Sequence, residues 1–285
     1  MAPKKSKKPM LLSRTRPPTV RPKPVALSAK ATRNLIRSHH RLLKKKAQAS
    51  QAGDEALVRK LDAQIQSHGG LESYQLASKL GQSLERGGDS SKVLIDWIDP
   101  QLRKLRDSHG LKLRVLEVGA LSTKNACSTH GCLDVTRIDL NSQGPGILKQ
   151  DFMERPLPRG DDERFHILSL SLVLNYVPDA LGRGEMLKRC VTFLTDQPPN
   201  GSSTSITPRL FLVLPLACVK NSRYLTESRL QDILQSLGFA LAKSKETSKL
   251  IFQLWEYTQD PKPRPFKKEM LNPGKVRNNF AVVIK

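Results

Sequence analysis

The chain has 285 residues, 38% of them hydrophobic, and a formal net charge of +22 from 48 lysines and arginines against 26 acidic residues. This composition supports one α/β domain of ordinary size and favours nucleic acid or another polyanion as its partner. Because lysine and proline replace the apolar core of a signal peptide and no apolar run could span a bilayer, we expect a soluble, intracellular protein with no membrane partner and reduced cysteines.

The positive charge is concentrated at the two ends of the chain. Residues 1–50 hold fifteen lysines and arginines and no acidic residue, whereas residues 262–285 hold seven against one glutamate. These two segments carry 21 of the 22 net positive charges, so the region between them is almost neutral. We therefore expect basic tails that contact nucleic acid, and the Lys4–Lys8 cluster also suits nuclear import. The alternative is that the N-terminal run serves only to solubilise the protein or to direct its import.

The chain begins with a segment that shows no apolar periodicity. Residues 1–27 are rich in lysine, arginine and proline, which predicts a disordered basic tail. From Ser28, a residue type that suits a helix N-cap, apolar residues recur at helical spacing, as at Leu57, Leu61 and Ile65. Residues 28–88 are therefore predicted to form a helical extension.

Beyond residue 89, short apolar runs alternate with helical ones. A helix interrupted near Pro100 comes first, and helical patterns at Leu181–Leu194 and Glu227–Leu237 separate later runs. Such alternation predicts a Rossmann-like α/β domain over residues 89–285, with a parallel sheet covered on both faces. The last two runs follow each other without a helix, which predicts a terminal hairpin whose basic connection is residues 260–277. The expected strands are Leu113–Val118, Val135–Asp139, a short one at Ile147-Leu148, His166–Leu172, Arg209–Leu214, Leu250–Tyr257 and Asn279–Ile284.

Acidic residues and a glycine mark the ends of the first three strands. Glu117 ends the first, and Gly119 lets the backbone turn sharply and approach a ligand closely. Asp139 ends the second strand twenty residues after Gly119, a spacing at which a carboxylate can accept hydrogen bonds from both hydroxyls of an adenosine ribose. Asp151 follows the third strand and could bind the adenine amino group. The alternative is that Glu117 and Asp151 cap helices and that Asp139 ends its strand in solvent. The three-glycine fingerprint and the Walker lysine are absent, which disfavours NAD and ATP.

Four segments carry a resemblance to a known family, namely Leu116–Leu121, Ile138–Asn141, Ser171–Pro178 and Leu214–Tyr224. Over about residues 65–285, including Gly69–Tyr74, the chain resembles the fungal nucleolar 25S ribosomal RNA adenine-N1 methyltransferase family. The resemblance implies a seven-strand Rossmann-like methyltransferase fold, S-adenosylmethionine as methyl donor, and an adenine of large-subunit rRNA or of a preribosome as substrate in the nucleolus. Gly119 and Asp139 match its cofactor-binding positions. Metazoan members of the same lineage act as S-adenosylmethionine sensors, so a non-catalytic sensor is the alternative, and methylation of a protein or small molecule is a third possibility.

The segment after the fourth strand is a candidate site for the methyl acceptor. Ligands of parallel sheets bind outside the carboxyl ends of the strands, which is where Asn175 and Tyr176 are placed. Asn175 could hydrogen-bond the edge of the adenine, and Tyr176 could stack on its face. Alternatively, Tyr176 packs under the following helix and Asn175 caps it. Adenine N1 carries a lone pair, so no essential general base is expected.

A second candidate segment follows the fifth strand. Arg223 could hold a phosphate with two hydrogen bonds, and Tyr224 could stack on a base. The alternative is that Ser222 and Thr226 only begin the next helix. We expect no metal, because the cysteines and histidine between residues 127 and 132 lack a fourth ligand nearby. We also expect a monomer.

Overall fold

A computed structural model of the protein describes residues 29–70, 73, 88–106, 111–142, 144–198 and 206–285. The predicted disordered tail and most of residues 71–87 of the predicted extension lie outside these ranges. No helix in these ranges is both long and apolar enough to cross a membrane. The helices are α1 Ala29–Gln51, α2 Glu55–Ser67, α3 Ser91–Arg106, α4 Ala126–Thr129, α5 Ala180–Thr192, α6 Ala217–Lys220 and α7 Glu227–Ser236. The strands are β1 Leu113–Val118, β2 Leu133–Asp139, β3 Leu148–Lys149, β4 Ile167–Ser171, β5 Arg209–Pro215, β6 Phe239–Glu246 and β7 Leu250–Tyr257.

Helices α1 and α2 form the described part of the predicted extension. Four buried side chains that recur at helical spacing give them a small core of their own, formed by Leu42, Ala49, Leu61 and Ile65. The Asp54 carboxylate caps α2 by accepting a hydrogen bond of 2.9 Å from the Leu57 N–H. These two helices agree with the helical pattern that begins at Ser28, and the predicted bounds of the extension, residues 28–88, stay a prediction.

The seven strands form one sheet in the order β3-β2-β1-β4-β5-β7-β6. The first five are parallel, and β7 lies antiparallel between β5 and β6. This mixed order confirms the predicted Rossmann-like, seven-strand fold. Strand order reverses between β1 and β4, which makes the carboxyl ends of these two strands the place where such a sheet binds ligands.

Side chains that alternate along the strands build one core on each face of the sheet. On one face, α3 packs through Leu94, Ile98, Leu102 and Leu105. On the other face, α5 and α7 pack against strand residues of the opposite parity. The predicted interruption of α3 at Pro100 is wrong, because the helix continues through this proline. Burial of its apolar side on the sheet offsets the backbone hydrogen bond that proline cannot donate.

The C-terminal region differs from the prediction. The hairpin is formed by β6 and β7, whereas Asn279–Ile284 belongs to a segment without a named strand, residues 258–285, which we call the C-terminal strap. The prediction missed β6 because most of this edge strand is exposed and polar, so it lacks apolar alternation. Ala281, Val282 and Ile284 are buried because the strap packs on the protein, with the Val283 N–H donating to the carbonyl oxygen of Ala180 at the start of α5.

Gly184→Ala is expected to lower the free energy of unfolding by about 2 kcal/mol, the usual cost of overpacking. A Cβ at position 184 would lie 1.8 Å from the Val283 carbonyl oxygen, so α5 and the strap would have to separate. Urea unfolding measures the effect, with Gly131→Ala as control, because a Cβ at position 131 meets no atom within 4 Å. Equal stability of the two variants would contradict the close packing of α5 and the strap.

Candidate functional site at the carboxyl edge of the sheet

The register of the parallel strands brings the predicted cofactor residues together. Val118 at the end of β1 pairs with Ile138 of β2 and with Leu170 of β4. Gly119 and Asp139, which follow Val118 and Ile138, therefore lie side by side at the carboxyl edge. The Gly119 N–H donates a 2.8 Å hydrogen bond to the Ile138 carbonyl oxygen, which fixes the turn after β1 against β2.

The turn at Gly119 requires a glycine for two separate reasons. Its φ of +75° lies in the left-handed region, and a Cβ there would lie 2.7 Å from Cγ2 of Val173. Leu172, which follows β4, has a φ of +58° although it is not a glycine. Strained backbone of this kind is concentrated at functional sites. Two unusual turns thus face each other where the strand order reverses.

Glu117 lies half-buried near the end of β1, and its carboxylate is held in place by hydrogen bonds. One oxygen accepts from Nδ2 of Asn125 at 2.6 Å, and the Cys127 thiol lies 3.7 Å from the other. Burial raises the pKa of Glu117 to about 7, although the Asn125 hydrogen bond and the Arg137 charge oppose the shift. The helix that follows is capped by Asn125 through the Ser128 N–H, so Glu117 is not the cap.

Asp139 is the last residue of β2, and Asp151 lies two residues after the neighbouring edge strand β3. An oxygen of Asp139 accepts a 2.8 Å hydrogen bond from the Asn141 N–H, and one of Asp151 accepts a 2.7 Å bond from the Met153 N–H. Both carboxylates are partly exposed to solvent. Leu140, directly after Asp139, is 58% exposed, and the sequence reasoning did not single it out. An exposed apolar side chain beside these acids adds a surface that suits a flat aromatic ligand.

Asp89 is a residue of the site region that the sequence reasoning missed. One oxygen of its carboxylate accepts from the N–H and the hydroxyl of Ser91, at 2.9 and 2.7 Å, and the other accepts from the Ala126 N–H at 2.6 Å. Asp89 thereby joins the start of α3 to the start of α4 near Glu117, whose pKa its charge helps to raise. Its only sequence signal is that aspartate commonly precedes a helix.

Asn175 and Tyr176 lie in a single 3-10 turn, Leu174–Tyr176, directly after β4. The alternative in which Asn175 caps the next helix is wrong, because Asp179 caps α5 by accepting a 2.7 Å hydrogen bond from the Gly182 N–H. Oδ1 of Asn175 is buried and has no hydrogen-bond partner among the described residues. A buried acceptor left unpaired costs about 1–3 kcal/mol, which a ligand that donates a hydrogen bond would recover.

Arg223 makes its side-chain contacts with the strap. Its guanidinium donates to the carbonyl oxygens of Gly274 and Lys275, at 2.8 and 3.1 Å, and to Oδ1 of Asn279 at 2.6 Å. These contacts use Nε and both terminal nitrogens, so the guanidinium fixes the strap in addition to any substrate contact, which stays a prediction.

Tyr224, the neighbour of Arg223, lies under a cation. The Lys268 ammonium is 4.5 Å from the centre of the Tyr224 ring. Thr226 caps α7 by accepting a 3.0 Å hydrogen bond from the Arg229 N–H, as the alternative interpretation of this segment predicted. The cap does not exclude a substrate contact by Tyr224, which also stays a prediction.

Arg183 is a buried cation that connects the acceptor segment to the strap. It donates to the carbonyl oxygens of Ala281 and Pro178, at 2.7 and 3.3 Å, and its guanidinium lies 4.2 Å from the centre of the Phe280 ring. Burial lowers the pKa of Arg183 to about 10, which leaves the side chain charged at neutral pH. Nothing in the sequence distinguishes this arginine from an ordinary exposed position on a helix.

The chain is similar to a family of rRNA methyltransferases. The family model described as 25S rRNA (adenine(2142)-N(1))-methyltransferase, Bmt2, matches residues 59–282. The chain is 38% identical over 252 residues to the 25S rRNA (adenine(2142)-N(1))-methyltransferase of Saccharomyces cerevisiae, covering 86% of this chain and 70% of that relative. It is 40% identical over 256 residues to the 25S rRNA adenine-N(1) methyltransferase of Schizosaccharomyces pombe, covering 87% of this chain and 89% of that relative.

Among solved structures, the 1,6-didemethyltoxoflavin-N1-methyltransferase of Burkholderia thailandensis, with S-adenosylhomocysteine bound, has a TM-score of 0.40 and 17% identity to this chain. That match covers 57% of this chain and 78% of the other. The family match includes every site residue described above, from Asp89 to Tyr224. The chain belongs to the 25S rRNA (adenine(2142)-N(1))-methyltransferase family, Bmt2.

Proposed function

We propose that this protein transfers a methyl group from S-adenosylmethionine to N1 of an adenine in large-subunit (25S) rRNA. The observation that carries the proposal is the position of Asn175. Its Oδ1 is a buried hydrogen-bond acceptor with no partner among the described residues. It lies two residues after Val173, which packs against Gly119 in the turn after β1. A cofactor cradle and a group able to hold an adenine thus meet at one sheet edge. The names of the two yeast relatives support the reaction and the substrate.

The residues at this edge fit S-adenosylmethionine. Glu117 suits the ammonium group of its methionine part, Asp139 the two ribose hydroxyls and Asp151 the adenine amino group. Leu140 offers an exposed apolar surface for the adenine ring. Gly119 lets the turns after β1 and β4 approach each other closely, because a Cβ there would meet Val173 at 2.7 Å. When bound, the cofactor supplies a methyl group that is already activated on a sulfonium, so the protein needs only to position the acceptor and to exclude water.

The acceptor is positioned by the turn after β4. Oδ1 of Asn175 can accept a hydrogen bond from the exocyclic amino group of the adenine, which leaves the neighbouring N1 lone pair free to attack. Tyr176 can stack on the face of the base, which contributes about 1–3 kcal/mol. Because N1 attacks through a lone pair, no residue has to remove a proton before the transfer. RNA enzymes take such a base out of its stack, so the adenine would reach this turn as an unstacked base.

The proposal extends to the partners and the location of the protein. The substrate is large-subunit rRNA or a preribosome, and the basic ends of the chain contact the RNA backbone. The charge distribution supports this, since 21 of the 22 net positive charges lie at the ends. The Lys4–Lys8 cluster and the rRNA substrate support a nucleolar location. We propose that the protein acts as a monomer.

The test is methyl transfer from labelled S-adenosylmethionine to unmodified large-subunit rRNA, with the labelled nucleoside identified. The expected product is 1-methyladenosine, and Asp139→Ala should lose it because the ribose loses its charged acceptor. A preribosomal particle serves as a second substrate. Tight cofactor binding without transfer to either substrate would indicate the sensor, and label in a protein or small molecule would indicate a different methyltransferase.

Raising the pH from 6 to 8 is expected to strengthen cofactor binding about fourfold, because the amino group of the cofactor begins to lose its own proton towards pH 8. The pKa of Glu117 is raised to about 7, and only the ionised carboxylate attracts the cofactor ammonium, so affinity rises as this group loses its proton. Isothermal titration over this range measures the effect, and Glu117→Gln should remove the pH dependence.

Stability of the free protein should change with pH in the opposite direction. A carboxyl whose pKa is raised from its ordinary 4.5 contributes stability that is present below pH 4.5 and lost as the pH rises through about 7. Thermal unfolding of the parent protein and of Glu117→Gln separates the contribution of this carboxyl to stability from that of other groups.

For the binding prediction, a cofactor affinity that does not change between pH 6 and 8 would contradict the role of Glu117.

A further inference from the structure

The C-terminal strap carries cations that no carboxylate neutralises. Within the described part of the chain, exposed Lys267, Lys268 and Lys275 form no ion pair. Glu269, which lies between them in sequence, is paired with Arg229 at 3.1 Å. Lys267 and Lys275 therefore keep their full attraction for an external anion, and Lys268 keeps its charge although its ammonium also lies over the Tyr224 ring.

The same strap exposes large apolar side chains. Val276 is 91% exposed, Met270 59% and Leu271 37%, and they account for three of the seven large hydrophobic residues exposed in the described ranges. Exposed apolar side chains that lie together and are rimmed by polar residues mark interaction sites, whereas singly scattered ones are ordinary. In the chain, Met270 and Leu271 follow Lys267 and Lys268 closely and Val276 follows Lys275, so the surface combines charge with apolar contact.

The strap is fixed beside the acceptor segment. The Arg223 N–H donates to the Asn278 carbonyl oxygen at 3.0 Å, and the Ser222 hydroxyl donates to that of Phe280 at 2.5 Å. The Arg183 guanidinium continues this connection to the carbonyl oxygen of Pro178, three residues after Asn175. Residues 274–281 of the strap therefore lie beside the segments that follow β5 and β4, next to the position where a methyl acceptor would lie.

We propose that the strap is the surface on which the RNA strand flanking the target adenine docks, an inference that rests on the proposed function. Lys267, Lys268 and Lys275 contact backbone phosphates, and Met270 and Val276 contact bases that have left their stack. Charge complementarity favours RNA, because the phosphates of its backbone are regularly repeated anions that can contact three lysines without a carboxylate partner. Since Arg223 already fixes the strap to the sheet, binding has little ordering cost to overcome.

The experiment compares the full-length parent with two triple variants that remove equal charge. One is Lys267→Gln/Lys268→Gln/Lys275→Gln in the strap. The control is Arg106→Gln/Lys112→Gln/Arg164→Gln, in which all three exposed cations lie near the opposite edge, where α3 ends and β1 and β4 begin. Fluorescence anisotropy follows the binding of overlapping transcripts of large-subunit rRNA at several salt concentrations. Isothermal titration with S-adenosylmethionine checks the fold of each variant.

The strap variant is expected to bind RNA at least about tenfold more weakly, and the slope of log affinity against log salt should fall by about three, one for each phosphate contact. The control should change both quantities little, and all three proteins should bind the cofactor equally. Met270→Ser/Val276→Ser should weaken RNA binding without a change in slope, because it removes apolar contact and no charge.

Equal losses in the strap and control variants would overturn the proposal, as would a parent protein that does not bind RNA or that binds an acidic peptide through the strap in preference to RNA. The proposed function fails separately. Strap-dependent RNA binding without methyl transfer would leave the docking surface standing without that reaction. Normal transfer and normal RNA binding by the strap variant would leave the reaction standing without the docking surface.

Discussion

Gly119→Arg is expected to abolish S-adenosylmethionine binding and, with it, all methyl transfer. Any side chain at this position must adopt a φ of +75°, which costs about 1–2 kcal/mol for a residue with a Cβ. That Cβ would also lie 2.7 Å from Cγ2 of Val173, so the turn after β1 would press on the turn after β4. The rest of the arginine would then occupy the space that the cofactor needs.

Two alanine variants separate the cost of the left-handed backbone from the cost of the contact with Val173. Gly53→Ala introduces a Cβ at a similar φ of +71° with no atom within 4 Å, so it reports the backbone cost far from the sheet edge. Gly119→Ala adds the contact with Val173 and should weaken cofactor binding by about tenfold or more. Isothermal titration measures affinity, and circular dichroism confirms that each variant is folded. If the Gly119→Arg variant folds and binds the cofactor as tightly as the parent protein, the cofactor site lies elsewhere.

Asn175→Ala is expected to lower methyl transfer at least about a hundredfold while cofactor affinity stays unchanged. The variant removes the acceptor that would hold the adenine amino group, but it does not touch Glu117, Gly119 or Asp139. Because Oδ1 of Asn175 is buried and has no partner within the described ranges, its removal should cost little stability. A loss of activity without a loss of stability or cofactor binding distinguishes a role in positioning the acceptor from a structural role.

Single-turnover transfer to large-subunit rRNA measures this effect. Asn221→Ala is the matched control, because Asn221 is exposed and follows β5 at the same edge of the sheet. The control should transfer methyl groups at close to the parent rate. Normal turnover by Asn175→Ala would refute the assignment and would direct attention to the strap for adenine recognition.

Much of this protein could be predicted from the sequence because it depends on local chemistry. Nearly continuous apolar runs predicted the parallel strands β1, β4 and β5, since most residues of these strands are buried. The left-handed turn at position 119 could be foreseen because only glycine adopts it without strain. Asp139 could be placed at the end of β2 because the apolar run stops there.

Other features depend on contacts between residues far apart in the chain, and only the tertiary structure decided them. Strand β6 has an exposed polar face and gains its place by pairing with β7, whereas Ala281, Val282 and Ile284 of the strap are buried by packing on the protein outside any named strand. Helix α3 continues through Pro100 because the sheet buries its apolar side. Arg183 and Arg223 look like surface cations in the sequence, yet both fix the strap. Periodicity reports how far each residue is buried and not which segment buries it, so the partners of these groups were not predictable from the sequence.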